Sequence, residues 1–176
     1  WKGYSNTRDR IFGETADNVV RYAPCDLMML KIEGRKFRTC LFPTAGGPNA
    51  HLAADLLNVL AKTFDMKVTT GYVVPPDATE DQRHTARNWI DKTLTNVHVD
   101  VPVEKQLIES KSVAGGLAKA SRDFDLVVIG AAKEPVFRKI LIGEIPQKVA
   151  RYSPASVLVV KRYVGPFKTL FKRILG

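Results

Sequence analysis

From residue 37 onward the apolar positions of the chain switch back and forth between two periods. Phe37 to Thr44 reads as a strand closed by the turn-forming run Ala45-Gly46-Gly47-Pro48. Leu52, Leu56, Leu57, Leu60, Ala61 and Phe64 then recur at helical spacing. Val68 to Val74 is a second apolar strand, stopped by Pro75-Pro76. Residues 78–95 predict a polar helix whose thin apolar stripe is Ala86, Trp89, Ile90, Thr93 and Leu94. Val103 to Ile108 predicts a third strand. Ser112 is placed to cap a helix carrying Val113, Leu117 and Ala120, because its hydroxyl can accept from a first-turn amide. The β-branched density of Asp125 to Gly130 predicts a strand buried on both faces. A basic loop follows, then a helix from about Glu144 to Tyr152 and a last strand, Ser156 to Lys161. Strands alternating with helices predict an α/β fold with a parallel sheet and helices on both faces.

The first 31 residues repeat the last of these elements. At an offset of 130, Gly13, Glu14, Val19, Arg21, Tyr22, Pro24 and Lys31 are matched by Gly143, Glu144, Val149, Arg151, Tyr152, Pro154 and Lys161. Shared helix-strand composition does not produce that many identities in so short a stretch. Residues 1–31 therefore read as the C-terminal helix and strand of a preceding copy of the same domain. Residues 32–36 are then a linker, 37–161 a complete domain and 162–176 a basic tail. The strand at 26–31 is expected at a sheet edge beside 156–161, and antiparallel to it, because both would be last strands of copies related by an approximate two-fold.

Composition narrows the class. The 176 residues are 45% hydrophobic and 26% charged, which is ordinary for a globular chain. Cys25 and Cys40 each lie in an apolar strand-like run and read as reduced core thiols, which favours a reducing compartment. No stretch approaches the roughly 18 apolar residues a membrane span needs. The chain opens at Trp1 without Met, so a longer polypeptide is expected, one whose membrane spans lie outside this stretch. Of the net charge of +9, five positive charges fall in residues 161–176 (Lys161, Arg162, Lys168, Lys172, Arg173) with no acidic residue among them. A local anionic partner is favoured over a nucleic-acid-binding face.

Three stretches resemble the universal stress protein family. Leu41-Phe42-Pro43-Thr44-Ala45-Gly46-Gly47 is similar to its first strand and turn, and Gly71-Tyr72-Val73-Val74 to its second strand. Leu126 to Gly143, followed by Arg151-Tyr-Ser-Pro-Ala-Ser-Val-Leu-Val-Val160, is similar to its final third. That ending recurs as Arg21-Tyr-Ala-Pro-Cys-Asp-Leu-Met-Met-Leu30. The resemblance implies an open five-stranded parallel sheet in the order 3-2-1-4-5, with an edge strand added by the partial copy. A finer likeness is carried by Trp1-Lys2-Gly3, Arg8-Asp-Arg-Ile-Phe-Gly13 and Gly165-Pro-Phe-Lys168. These are similar to cytoplasmic tails of prokaryotic amino-acid transporters of the amino acid–polyamine–organocation type. The implied partners are the transmembrane region of the same polypeptide and a second or pseudo-symmetric copy, on the cytoplasmic side of the cell membrane.

ATP-binding members of the family carry Gly-x-x-Gly-x9-Gly-[Ser/Thr] after strand four, where backbone amides and a helix N-terminus meet phosphate. Ligands of open parallel sheets sit at the point where strand order reverses, which the resemblance puts at Thr44-Ala45-Gly46 and Gly130 to Lys133. Gly130 and Gly143 match the motif. Lys133 stands in place of its second glycine, Glu144 in place of its hydroxyl, and Ala45 in place of the Asp expected near adenine. Glu144 would repel a phosphate, and Glu14 repeats it, so both read equally as helix-stabilising carboxylates. Two readings stay open: a degenerate, empty pocket, with no cofactor expected, or an ATP or AMP site.

No enzyme chemistry is legible. His51, His84 and His98 are scattered without a carboxylate or Cys at ligand spacing, so no metal is expected. Gly-x-Ser-x-Gly and Gly-x4-Gly-Lys-[Ser/Thr] are both absent, which removes a nucleophile elbow and a P-loop. The resemblance implies a regulatory or interaction domain of an amino-acid transporter. Its rivals are a free-standing ATP- or AMP-binding stress protein and a weak ATPase of related fold.

The tail adds a surface of its own. Phe167, Leu170, Phe171, Ile174 and Leu175 share one helical face, with Lys168, Lys172 and Arg173 off it. Burying each apolar side chain contributes about 1.5–3 kcal/mol, and each cation near an anionic leaflet about 1 kcal/mol. Residues 166–175 thus suit an anionic membrane surface or, equally, a groove on the domain itself. Co-sedimentation with anionic vesicles separates the two. Membrane docking predicts binding that falls with salt and is lost on truncation after Tyr163, whereas packing on the domain predicts equal behaviour of both forms.

Overall fold

The computed structural model describes residues 14–34, 36–44, 46–132 and 142–163. The tail face at 166–175 lies outside them. Helix α1 (Glu14–Tyr22) and strand β1 (Leu27–Lys31) come first, then β2 (Thr39–Leu41), α2 (Pro48–Phe64) and β3 (Lys67–Val74). They are followed by α3 (Glu80–Asn96), β4 (Val103–Glu109), α4 (Val113–Ala120), β5 (Leu126–Gly130), α5 (Glu144–Tyr152) and β6 (Ser156–Lys161).

The strands form one sheet in the order β1-β6-β5-β2-β3-β4. From β6 to β4 every pairing is parallel, and β1 joins the β6 edge antiparallel. Counted from β2 as strand one, this is the order 3-2-1-4-5 with the expected extra edge strand. The β1–β6 register has a centre. Leu27 faces Lys161, Lys31 faces Val157, and Met29 faces Val159, its own counterpart at an offset of 130. The helices α1 (14–22) and α5 (144–152) obey the same offset. Each half reaches across to the other: the Lys31 ammonium donates to the Ser153 carbonyl at 2.6 Å and the Lys161 ammonium to the Val20 carbonyl at 2.8 Å.

Two apolar layers sandwich the sheet. Val127, Ile129, Val157 and Val159 pack with Val20, Leu117 and Val149 under α1, α4 and α5. Leu126, Val128, Leu158 and Val160 face the other way, onto α2 and the chain after α3. β2 is shorter than the 37–44 expected. The Asp125 carboxylate accepts from the Arg38 and Thr39 amides at 3.0 and 3.1 Å, at the point where β2 begins. Pro43, at the other end, has no N–H to give.

Ser112 caps α4 as expected, and α3 has a capping box of its own. The Ser112 hydroxyl accepts from the Gly115 amide at 3.3 Å. Thr79 and Gln82 form a reciprocal capping box that starts α3 at Glu80.

Three expectations need correction. Trp89 stands exposed, because α3 buries Ala86, Ile90 and Thr93, and Trp89 lies about 100° round the helix from Ile90. In α2 the buried face is Ala50, Ala53, Ala54, Leu57 and Ala61, and Phe64 is exposed. Small side chains let the helix backbone approach the sheet, and the leucines flank that contact. Cys25 is exposed in the turn before β1, while Cys40 is buried in β2 with its thiol pushed up to about 12 by burial. A thiol reagent at mildly alkaline pH should therefore modify Cys25 alone in the native chain and both cysteines in urea. Two reactive thiols before unfolding would contradict this packing.

Candidate functional site

A cavity of about 630 Å³ opens at the carboxyl ends of β2, β3 and β5, where the strand order reverses. Its floor is Thr44, Gly46, Ile129 and Gly130, and its walls are the first turns of α2, α4 and α5 with Tyr72 and Val73 from β3. Of the residues expected here, Thr44, Gly46 and Gly130 line it. Gly143 and Glu144 do not, and Ala45 and Lys133 lie outside the described residues.

The two glycines of the motif are held by packing. A Cβ on Gly130 would stand 3.0 Å from the Asn49 carbonyl carbon and 3.1 Å from the Ala50 nitrogen, at the start of α2. A Cβ on Gly143 would stand 2.3 Å from the Ala132 Cβ, and Gly143 has φ +90°, a left-handed conformation that favours glycine. That contact is fixed by the Ala132 amide donating to the Ile142 carbonyl at 2.9 Å.

Glu144 is turned to its own helix. It accepts from Lys148, one turn on, at 2.5 Å, and this hydrogen bond holds its carboxyl below the ordinary carboxylate range. The repulsion of phosphate expected from Glu144 is thus blunted by a neighbouring cation, and the helix-stabilising role stands.

The described part of the cavity offers phosphate little charge. None of its described lining residues carries a charged side chain. Pro48 is the first residue of α2 and Pro146 the third of α5, so these two helix starts have each lost one amide donor. Asn49, the one amide side chain there, is committed on both sides. It donates to the Ala131 carbonyl at 2.6 Å and accepts from the Arg162 amide at 2.8 Å. The cavity has an apolar wall of Val113, Leu117 and Ile145, of which Val113 and Leu117 were legible as helix-face residues and the common lining was not.

The histidines are less scattered than their spacing implied. His51 and His98 bring their rings to 6.1 Å between centroids, while His84 pairs with Asn88. Among the described residues no group of three His, Cys, Asp or Glu is placed to hold a metal.

Residues 36–161, most of the chain, match the universal stress protein family. The chain belongs to that family. A curated relative, the Na(+)/H(+) antiporter NhaS5 of Synechocystis, is 24% identical to this universal stress domain over 155 residues. The match takes in 86% of the chain and 22% of the antiporter, so the chain spans about a fifth of that relative's length. A functionally unknown protein from Pseudomonas aeruginosa superposes with a TM-score of 0.61 at 15% identity, over 91% of this chain and 60% of its own. A universal stress protein in complex with cAMP superposes at 0.57 with 17% identity, over 71% of this chain and 97% of its own. These likenesses establish the fold.

Gly143→Ala should lower unfolding stability by about 2–4 kcal/mol, from strain and overpacking together. Gly130→Ala, meeting backbone at slightly longer range, should lower it by about 1–3 kcal/mol. Urea denaturation in the presence and absence of AMP measures both. A glycine kept for ligand approach alone would leave the stability without AMP unchanged.

Proposed function

We propose that this universal stress domain is a regulatory or interaction module of a transporter, held on the cytoplasmic side of the cell membrane, with a nucleotide pocket that has lost its phosphate end. The observation that carries the attachment is the antiporter relative, of which a stretch like this chain makes up about a fifth. Among the described residues no helix is long and apolar enough to cross a membrane, so membrane spans would have to be supplied from elsewhere in such a protein. The amino-acid type of transporter rests on the terminal stretches around Trp1-Lys2-Gly3 and Gly165-Pro166, whereas the antiporter relative is named for ion exchange. A transporter is what the two have in common.

In this reading residues 1–31 are the end of a preceding copy, and β1 against β6 is the seam of a pseudo-dimer. Support comes from the seven identities at an offset of 130 and from Met29 facing its own counterpart Val159. The Pseudomonas protein, matched over 91% of this chain, extends the likeness beyond residues 36–161. Full reading of the encoded polypeptide tests the attachment. Hydrophobic spans in it support a transporter, and their absence supports the free-standing nucleotide-binding protein instead.

The pocket has its own test. Calorimetric titration with ATP, ADP and AMP should give no response at micromolar concentrations. The cAMP complex of a structural relative makes AMP the nucleotide to watch, and low-micromolar affinity for any of the three would overturn the degenerate pocket. Ala45→Asp combined with Glu144→Ser should raise affinity if those side chains are what the pocket lacks. If the double variant stays silent, Pro48 and Pro146 with their missing donors are the obstacle.

A further inference from the structure

The pseudo-two-fold through Met29 and Val159 maps each residue of α1–β1 onto one of α5–β6, and their burial can be compared pair by pair. Arg21 and Arg151, Tyr22 and Tyr152, and Pro24 and Pro154 are exposed in both halves. Other pairs differ sharply. Met28 is 61% exposed and Leu30 43%, whereas their counterparts Leu158 and Val160 are at 7% and 0%. Val19 is 51% exposed and Val149 is at 0%. Cys25 is exposed and its counterpart Ala155 is buried.

The buried members of these pairs have identifiable covers. Leu158 and Val160 lie under α2, and Val149 packs against α4. On its outer side β6 pairs with β1, and on its inner side with β5 in parallel. Among the described residues β1 pairs with β6 alone, so its other edge is open there. An open strand edge beside exposed apolar side chains is a template for a further strand.

We infer that the open edge of β1, with Val19, Met28 and Leu30, is a docking surface for the rest of a second universal stress domain in the same polypeptide. This rests on reading residues 1–31 as the end of a preceding copy. The occupant has a defined chemistry: a parallel strand like β5 along β1, and a helix like α2, with small apolar residues inward, over Met28 and Leu30. An intact domain like 37–161 cannot serve, because its own β5 is already paired on both sides, with β2 and β6. The occupant must be a domain that lacks its last strand until β1 supplies it.

Chemical protection tests this on two proteins, the 176-residue chain and the polypeptide translated from its initiator Met. Peroxide oxidation of Met28 and alkylation of Cys25 are followed by mass spectrometry, with buried Met66 and Cys40 as references. In the 176-residue chain, monomeric by light scattering, both sites should react readily. In the translated polypeptide each should react about tenfold more slowly or less, since reaction then requires local opening. Met28→Lys with Leu30→Glu in the translated polypeptide should restore the fast alkylation of Cys25.

Equal rates in the two proteins, with a universal stress sequence upstream, would overturn the docking surface and leave the copy reading intact. Absence of such a sequence upstream would overturn both. Dimerisation of the 176-residue chain with protection of Met28 would make a second copy of this chain the occupant and would also overturn the proposal.

Discussion

β5 and β6 are buried on both faces, and the rest of the structure follows from that constraint. Val127, Ile129, Val157 and Val159 point one way and Leu126, Val128, Leu158 and Val160 the other, all of them in the core. Strands with no polar face need a helix layer on each side, and in a parallel sheet the crossovers deliver those layers. The change of crossover direction between β2 and β5 leaves a crevice between their carboxyl ends. The cavity is therefore a consequence of burying two strands completely, before any ligand is considered.

Residues around that crevice serve packing first. Gly130 is required by the start of α2 and Gly143 by Ala132, so both would be glycine in a domain that bound nothing. Motif glycines are ambiguous for this reason: the close approach that admits a phosphate also admits a helix. The discriminating features are donors and charge. Pro48 and Pro146 subtract donors, Asn49 is already satisfied on both sides, and the Glu144–Lys148 pair is closed upon itself along α5.

The β1–β6 seam belongs to a different level of organisation. An antiparallel ladder has local two-folds wherever it forms, but here one of them coincides with the offset of 130 at which residues 13–31 resemble 143–161. The inner-facing side chains Leu27 and Met29 join the core beside Val157 and Val159, and the outward Met28 and Leu30 remain in water. The seam thus supplies β6 with the neighbour its edge requires, and among the described residues β1 has no such neighbour on its far side.

The sequence by itself determined the elements, their order and the antiparallel edge strand. These depend on local periodicity, on the Ser112 cap, and on a repeat whose identities can be counted without coordinates. The family resemblance, through the strand order it implies, put Thr44, Gly46 and Gly130 at the reversal of that order. Only the tertiary structure decided which faces were buried. Trp89 and Phe64 fit an apolar stripe, yet α3 and α2 turn alanines and one or two larger side chains to the sheet, since close helix approach outweighs the area of a single aromatic. It also decided that Cys25 is exposed while Cys40 is not, that Glu144 answers to Lys148, and that Val113, Leu117 and Ile145 meet around one cavity. Each is a relation between residues distant in sequence or set by the rotation of a helix about its axis, and a one-dimensional pattern carries neither.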